Sequence, residues 1–390
     1  MDISRLAKEQ QEYMVEIRRY LHQRPELSHQ EEKTSQKICE ELTSMGISYE
    51  IVGDYNVVAT IEGKRKDVIV ALRADMDALP VTEETGLPFA SQKPGIMHAC
   101  GHDGHVAMLL GAARIFQQVK GEMNGTVKLC FQQAEETGGG ALEILENLEA
   151  HPVKTAFGIH LWADFETGKI SVEPGPRMAA ADGLRIEVNG KGTHAAYPSK
   201  GVDPIITSAA ILSNLTAMVA REANPLYPSV LAFGAINGGE LGNVIPERVT
   251  IKGGLRSTNN EQRARLMQAI RRIVEGTAAT YNTTAEVIRE GGVPIVFNDE
   301  FCSAVATTAA EKVGGQEAVS PLDLIMASEN YGFFVDRYPG IYAFIGVRNE
   351  KINACYPHHH PKFDIDEATF FLGAGLHVQY TLDFLNQYKD

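Results

Sequence analysis

The sequence predicts an α/β protein: a discontinuous domain with a mainly parallel sheet, interrupted by an inserted ferredoxin-like β-α-β-β-α-β lid domain. Strand-type and helical segments alternate in the first third of the chain, half-exposed strands dominate the middle, and the remainder resumes the first style. The chain has 390 residues, which is long enough for two domains. The expected boundaries are 1–180 and 293–390 for the main domain, and 181–292 for the lid.

In the first part of the chain, each element has its own sequence signal. Amphipathic patterns predict helices over 4–22 and 30–45, with Gly46 just past the end of the second. A run of buried-type residues predicts a strand over Val68–Arg73. Further strands are expected over 126–131 and 156–161, and further helices over 103–118 and 140–149. Because strands and helices alternate, the strands should form a parallel sheet covered by helices.

The middle of the chain carries a different pattern. Residues 184–189 alternate between apolar and polar, as in a half-exposed strand. The following segments are helix 203–222, strands 230–237 and 249–256, helix 260–281 and strand 284–289. Their order is the split β-α-β-β-α-β pattern, in which helices cover only one face of the sheet. An uncovered face or edge is an aggregation liability, so this domain is expected to form a homodimer. Helices over 299–313 and 366–386, with a strand over 341–347, then complete the main domain.

Composition limits the partners and the compartment. The formal charge of −14 argues against nucleic acid or an anionic membrane as a partner. No apolar run reaches membrane-spanning length and no signal-type region follows the N-terminus, so a cytoplasmic location is expected. The five cysteines are scattered and odd in number, which disfavours a disulfide framework and leaves any chemically active cysteine as a thiolate.

Side chains that bind metals are concentrated in four short segments: 98–103, 132–136, 158–162 and 358–361. Cys100 and His102 are two residues apart, so in an extended chain both would point to one metal cluster. Glu135 and Glu136 follow an apolar strand and would repel each other unless cations lie nearby. One of these carboxylates could bind metal while the other holds a water. His160 alone would indicate a core histidine, and only the other segments favour a metal ligand.

Two further motifs support this interpretation. Pro361 favours extended backbone before it, so at most one or two of the histidines 358–360 should share a metal. Asp75 and Asp77 follow a strand, at the edge where open α/β sheets place ligands, and could orient metal-bound imidazoles. Glycine-rich phosphate loops and the Gly-x-Ser-x-Gly nucleophile turn are absent from the sequence. These observations predict a two-metal hydrolase with a spare glutamate for proton transfer.

Three long motifs carry a resemblance to a known family. They are Arg-Arg-Tyr-Leu-His-Gln-Arg-Pro-Glu-Leu-Ser (18–28), Arg-Ala-Asp-Met-Asp-Ala-Leu-Pro (73–80) and His-His-Pro-Lys-Phe-Asp-Ile-Asp-Glu (359–367). With these motifs, nearly the whole chain resembles the dinuclear metallo-amidohydrolases, which include indole-acetyl-amino-acid hydrolases, hippurate hydrolases and N-acyl-amino-acid deacylases. The sequence departs from the family at Asn330 and Tyr331, where Asp and Phe are usual, and at Gln133, where Pro is usual.

The resemblance implies a set of metal ligands and supporting residues. The implied ligands are Cys100, His102, Glu136, His160 and His359, with Cys100 bridging the two ions. Glu135 occupies the position of the family's general base. Asp75 and Asp77 fall in its supporting acidic motif.

The resemblance also implies roles for residues of the inserted lid. His194 matches a histidine that polarises the substrate carbonyl, often from the partner subunit. Asn243 and Arg256 match positions associated with substrate binding.

The function implied is metal-dependent hydrolysis of N-acyl amino acids with an acetyl, benzoyl or aryl-acetyl group. Two divalent ions are expected; thiolate and imidazole suit zinc, while the carboxylates allow manganese, cobalt or nickel. A dipeptidase or carboxypeptidase using the same site is the nearer alternative. A non-catalytic metal- or ligand-binding protein is the more distant one, and Glu135 disfavours it because a structural metal site needs no spare base.

Overall fold

The structure is a computed structural model that describes residues 1–388. The chain folds as two compact units. The first comprises Met1–Arg177, Val296–Asp323 and the chain from Asn330 onward, and the second comprises Met178–Ile295 and Leu324–Glu329. Residues 324–329 were expected in the main domain. They belong to the second unit because the backbone N–H of Ala179 donates to carbonyls in this segment, a pairing without a local sequence signal.

The helices of the described chain follow its amphipathic segments closely. They are α1 (Ile3–Glu9), α2 (Gln11–His22), α3 (Glu32–Ser44), α4 (His102–Val119), α5 (Ala141–Leu148), α6 (Pro204–Glu222), α7 (Asn260–Thr280), α8 (Glu300–Gly314), α9 (Gly332–Arg337) and α10 (Phe370–Gln387). Side chains of Asp203, Asn259 and Asp299 cap α6, α7 and α8 by accepting backbone N–H groups. Gly46 ends the α3 segment with a φ of 67°. The single helix predicted over 4–22 is divided into α1 and α2 at Gln10.

The strands of the described chain are β1 (Ser48–Val52), β2 (Asn56–Glu62), β3 (Ile69–Asp75), β4 (Thr126–Gln132), β5 (Val153–Glu166), β6 (Ile170–Ser171), β7 (Gly175–Met178), β8 (Ala180–Asn189), β9 (Thr193–His194), β10 (Ser229–Asn237), β11 (Val244–Ile245), β12 (Arg248–Ser257), β13 (Thr284–Val293), β14 (Val296–Asn298) and β15 (Gly340–Arg348). They form a seven-stranded sheet, a four-stranded sheet and two short two-stranded ladders.

The first unit is built around the seven-stranded sheet, whose order is β1-β2-β4-β3-β5-β15-β6. The central strands β4, β3, β5 and β15 are parallel, while β1, β2 and β6 pair in antiparallel fashion at the margins. Every residue of β3 is buried, as expected of a parallel strand covered on both faces. The predicted α/β class with parallel central strands is therefore confirmed.

Parallel register sets the position of the candidate site. Asp75, at the end of β3, lies opposite Gln132, at the end of β4. Arg73 lies opposite Gly158 on β5, two residues before His160. The carboxyl ends of β3 and β4 and the middle of β5 therefore meet at one edge of the sheet.

The second unit has a four-stranded antiparallel sheet in the order β10-β12-β8-β13. Along the chain its main elements run β8, α6, β10, β12, α7, β13. Its core combines side chains from β8 and β12 with those of both helices, among them Ile186, Ile211, Ile251 and Ile270. β10 at one edge keeps most of its residues exposed or half-buried. In this unit the described sheet is thus covered by two helices.

One helix within residues 1–388 is long and apolar enough to cross a membrane. It is α6, which has 19 residues and a mean hydropathy of 1.2. A single helix of this kind is weak evidence for a membrane span. Ile211, Leu215 and Met218 of α6 lie instead in the core of the second unit. That packing accounts for part of the apolar character of α6, while Ile205 and Ile206 are exposed.

Candidate metal centre

The turn after β4 places two glutamates at the edge of the sheet. β4 ends at Gln132, and Ala134 then adopts a left-handed conformation with a φ of 56°. A single 3-10 turn follows over Glu135–Thr137. The backbone N–H of Ala134 donates to Oε1 of buried Glu31 at 2.7 Å, which fixes the entry to the turn. Glu31, which immediately precedes α3, was not among the predicted site residues.

The segment Cys100–His102 brings its side chains together in a different way from the one expected. We expected extended backbone, in which alternate residues share a face. Gly101 instead has a φ of 95° and lies at the N-terminus of α4, whose first residue is His102. The left-handed backbone at Gly101 thus directs the side chains of Cys100 and His102 towards the same donor cluster. A Cβ at Gly101 would meet no atom closer than 3.7 Å, so the backbone conformation, rather than space, requires glycine here.

The implied ligands form overlapping groups of donor atoms. Cys100, His102 and His160 offer atoms within 4.8 Å of one another, and so do Cys100, Glu136 and His359. Cys100 is common to both groups. The structure therefore brings the side chains of all five residues together, with Cys100 shared by the two groups.

His359 reaches this cluster from a turn. We expected Pro361 to hold the preceding histidines in extended backbone, but His359 has a φ of 65°. Its Nε2 lies 3.4 Å from Oε1 of Glu136. His358 points elsewhere, since its Nε2 accepts the N–H of Ala163 at 3.1 Å. Burial lowers the pKa of His358 to about 3, so this ring is neutral.

Hydrogen bonds fix the tautomers of the two buried imidazoles. Nδ1 of His102 lies 3.0 Å from the carbonyl of Asp77 and 3.2 Å from its carboxylate, so it carries the proton. Nδ1 of His160 likewise donates to the carbonyl of Leu161 at 2.7 Å. Burial lowers the pKa of His160 well below its usual value, so its Nε2 is a lone pair, and it lies 3.7 Å from Sγ of Cys100. Both rings are thus oriented so that Nε2 would be the atom available to a cation.

Asp75 and Asp77 make hydrogen bonds next to the donor cluster. Oδ2 of Asp77 accepts the N–H of Glu136 at 3.0 Å and the hydroxyl of Ser28 at 2.7 Å. Burial would raise the pKa of Asp77, but its contacts with His102 lower it, so the carboxylate is ionised. Asp75 pairs with His105 at 2.6 Å. Asp77 thus hydrogen-bonds with two of the implied ligands, His102 and Glu136, whereas Asp75 hydrogen-bonds with His105, which is not one of them. The supporting role of the two aspartates stays a prediction.

Unpaired atoms and charge in the cluster fit cations. Nε2 of His102 and Oε1 of Glu136 are buried and have no hydrogen-bond partner in the described part of the chain. Burial, and then the Glu136 carboxylate, raises the pKa of the Cys100 thiol. Burial lowers the pKa of His102, yet Asp75 and Cys100 raise it well above its usual value. The site therefore has a negative field that favours positive charge, which divalent ions would supply when bound.

Glu135 stands next to this donor set. It offers an oxygen within 4.8 Å of those of His102 and Glu136. Its Oε1 also accepts the backbone N–H of Asn330 at 3.1 Å. The cluster thus has one more carboxylate beside the implied ligands.

The remaining predicted site residues lie in the second unit. His194 on β9 is exposed and pairs with Val244 of β11. The carbonyl of Asn243 accepts the N–H of Ala195 at 2.9 Å, so Asn243 and His194 are neighbours. Arg256 on β12 donates to Oγ of Ser328 at 3.0 Å and to the carbonyl of Met326 at 3.3 Å. The structure places these three residues in one unit, and their roles stay predictions.

Comparisons with known proteins give one consistent result. The model of peptidase family M20/M25/M40 matches residues 71–382. N-acetyl-L-cysteine deacetylase of Bacillus subtilis is 38% identical over 95% of this chain and 88% of its own length. Thermostable carboxypeptidase 2 of Saccharolobus solfataricus is 37% identical over 98% of each chain. The structure of the Bacillus subtilis YXEP protein, described as a dinuclear metal binding peptidase, superimposes with a TM-score of 0.86 at 32% identity, covering 98% of this chain and 100% of that one.

The parallel sheet, the donor cluster at its edge and the additional carboxylate define a metal-dependent hydrolase. The relatives that match almost the full chain are named as a deacetylase, a carboxypeptidase and a dinuclear metal binding peptidase. The chain belongs to peptidase family M20/M25/M40.

Proposed function

We propose that the protein hydrolyses the amide bond of N-acylated amino acids. The observation that carries this proposal is the position of Glu135 beside the donor cluster. It adds a carboxylate to a site whose proposed ligands are supplied by other residues. A structural metal site needs no such group. The relative named N-acetyl-L-cysteine deacetylase, 38% identical to this chain, supports an acylated amino acid as the substrate.

The cluster would hold two divalent ions. Its proposed ligands are Cys100, His102, Glu136, His160 and His359. When bound, such ions supply Lewis acidity and lower the pKa of water from about 15.7 towards about 7. Thiolate and imidazole favour zinc, and the carboxylate also admits manganese, cobalt or nickel. The dinuclear site named for the YXEP protein supports a pair of ions.

Glu135 would move the protons of the reaction. Its carboxylate takes a proton from water as the water oxygen bonds to the amide carbon. The carbon–nitrogen bond then breaks, and Glu135 returns the proton to the departing amine. The products are a carboxylate and a free amino acid. The N–H of Asn330 holds one oxygen of Glu135 during these steps.

His194 would donate a hydrogen bond to the carbonyl oxygen as it gains charge. Nδ1 of His194 accepts the backbone N–H of Ala196 at 3.0 Å, so the ring proton lies on Nε2. An exposed imidazole with its N–H directed outward is suited to this role. Arg256 and Asn243 are proposed to bind the substrate.

We further propose that residues 181–292 form a lid and dimerisation domain on a catalytic domain of residues 1–180 and 293–390. The compact second unit and its ferredoxin-like order of elements support this division. Exposed apolar side chains on the second unit, including Ile236, Leu241 and Val244, support a homodimer. The cytoplasmic location stays a prediction.

A carboxypeptidase or dipeptidase is the second candidate, because a relative at 37% identity is named thermostable carboxypeptidase 2. The two substrates differ at the α-nitrogen: a free amine needs an acidic partner, whereas an acyl group needs apolar contacts. Paired assays of acetyl-, benzoyl- and indole-acetyl-amino acids against the corresponding dipeptides, with several cations, would separate them. We expect faster turnover of acylated amino acids; faster turnover of the dipeptides would replace the proposal with the second candidate.

A further inference from the structure

We infer that Asn330 is a positioning residue for Glu135. Its side-chain amide fixes the Asn330 backbone, and the backbone N–H in turn holds the Glu135 carboxylate. The inference rests on the proposed function, in which Glu135 is the general base. Asn330 is buried and lies 195 residues from Glu135 in the chain. Its backbone N–H donates to Oε1 of Glu135 at 3.1 Å. That N–H is therefore one of the groups that fix where the carboxylate lies.

The side chain of Asn330 is fixed by three buried hydrogen bonds. Oδ1 accepts from a guanidinium nitrogen of Arg73 at 3.0 Å and from Nε2 of Gln132 at 2.8 Å. Nδ2 donates to the carbonyl of Gly139 at 2.8 Å. Because guanidinium can only donate, these partners allow a single orientation of the amide. The residue is locked by its own side chain, and its backbone N–H is held with it.

The partners of Asn330 belong to the frame of the candidate metal centre. Arg73 and Gln132 are residues of β3 and β4, and Nε of Arg73 also donates to Oε1 of Gln132 at 2.8 Å. The same guanidinium pairs with Asp75 at 2.6 Å. Gly139 follows the turn that carries Glu135 and Glu136. Asn330 thus joins the loop before α9 to the two strands and the turn that hold the ligands and the base.

This connection gives Asn330 an effect on catalysis that is separate from metal binding. Asn330 is not one of the five proposed ligands, and the side-chain hydrogen bonds described above are to Arg73, Gln132 and Gly139. Removing its side chain should leave the ligands in place and loosen only the N–H that holds Glu135. Misplacing a reacting group by about 1 Å can cost roughly a hundredfold in rate. The predicted effect is on kcat, with KM and metal content unchanged.

The test compares Asn330→Ala with Asn330→Asp and with a matched control, Asn298→Ala. Asn298 is also buried, and its side chain makes three hydrogen bonds with the backbone of Glu173 and Tyr342. Asn330→Asp keeps the oxygen that accepts from Arg73 and Gln132. We expect kcat to fall about a hundredfold in Asn330→Ala, by less in Asn330→Asp, and to stay near the wild-type value in Asn298→Ala. All variants should hold the same number of metal ions.

A double-mutant cycle with Glu135→Gln tests whether Asn330 affects kcat through Glu135. If Asn330 acts through Glu135, adding Asn330→Ala to Glu135→Gln should produce no further loss of residual kcat. A kcat for Asn330→Ala equal to that of the Asn298→Ala control would overturn the inference, as would a full additional loss in the double variant. If Asn330→Ala does not fold, Asn330→Ser takes its place in both comparisons.

Failure of the inference can be distinguished from failure of the proposed function. A wild-type protein that holds two ions and hydrolyses no amide in the panel would overturn both. An active wild type with a fully active Glu135→Gln variant would overturn the assignment of the base. An active wild type, an inactive Glu135→Gln and an unaffected Asn330→Ala would overturn only the role of Asn330.

Discussion

Sγ of Cys100 lies 3.7 Å from Nε2 of His160, and the same thiol also belongs to the group formed with Glu136 and His359. One side chain therefore connects two sets of donor atoms. A thiolate in this position can bridge two cations, because its negative charge is shared between them. The proposed two-ion centre depends on Cys100 more than on any other ligand.

Replacing Cys100 with alanine should remove metal and activity together. Both groups of donor atoms lose their common member, so we expect less than one ion per chain and no measurable turnover. Elemental analysis of the purified variant measures the metal content. Cys355→Ala is the control, since Cys355 is a partly exposed free thiol outside these groups. Two retained ions in Cys100→Ala would contradict a bridging role.

Replacing Glu135 with glutamine should preserve the metal and abolish catalysis. The amide keeps an oxygen that can accept the N–H of Asn330, but it cannot take a proton from water. General bases contribute about 10²–10⁴-fold, and we expect kcat to fall by that amount. Glu146→Gln, on the exposed face of α5, controls for the loss of one negative charge. Equal loss of metal in the Glu135 and Cys100 variants would refute this division of roles.

Replacing His194 with alanine should lower kcat about a hundredfold or more, because losing one donor to an oxyanion costs roughly 2.7–4 kcal/mol. The metal content should not change, since His194 belongs to none of the donor groups. Steady-state kinetics with an acetylated amino acid measure the effect. His151→Ala serves as a control, and near-normal turnover in the His194 variant would remove its catalytic role.

Mixing two inactive variants tests whether His194 acts on the partner subunit. In a symmetric dimer, a hybrid of Glu135→Gln and His194→Ala chains would hold one site with both residues intact if the histidine acts across the interface. Equal mixing then restores about a quarter of the wild-type activity. Sites completed within one chain would show no recovery at any mixing ratio.

Stability at acid pH should depend on His377. Burial lowers the pKa of His377 to about 3, whereas the unfolded chain has the ordinary value of 6.5. Between these values the unfolded state binds more protons, so stability falls by up to about 1.4 kcal/mol per unit as the pH falls. His377→Phe, which keeps a ring against Phe157, should lose less stability from pH 6.5 to 4. Urea unfolding of both proteins measures the difference, and parallel losses would contradict it.

Local signals in the sequence predicted much of the fold. The helices α6 and α7 carry visible caps at Asp203 and Asn259, and β3 is a continuous buried run. The hairpin of β1 and β2 was missed. β1 is exposed over four of its five residues and pairs only with β2, so no buried face marks it in the sequence. Most elements with a buried face were predictable, but the exposed edge strand β1 and its buried partner β2 were not.

The sequence predicted which side chains cluster at the candidate site better than it predicted the backbone conformations that bring them together. Parallel strands place Asp75 and Glu136 at one edge of the sheet, which the order of elements already implied. The extended backbone expected around Cys100 and His359 was wrong, because left-handed residues form both turns. Gly101 was visible in the sequence, but its φ of 95° depends on the start of α4.

The supporting residues could not be found from local patterns. Asn330 meets Glu135 across 195 residues, and Glu31 meets Ala134 across 103. Neither lies in a segment rich in metal ligands. Their contacts arise only when the sheet and the loops around it are assembled, so a single sequence carries no periodic signal for them.

Crystals of the purified holoprotein, measured at the absorption edge of the bound metal, would test the two-ion centre most directly. We expect two anomalous peaks roughly 3.5–4 Å apart, with Sγ of Cys100 about 2.3 Å from each. Nε2 of His102 and of His160 should lie about 2.0–2.1 Å from the ions they bind. A single peak, or peaks remote from Cys100, would contradict the proposed centre.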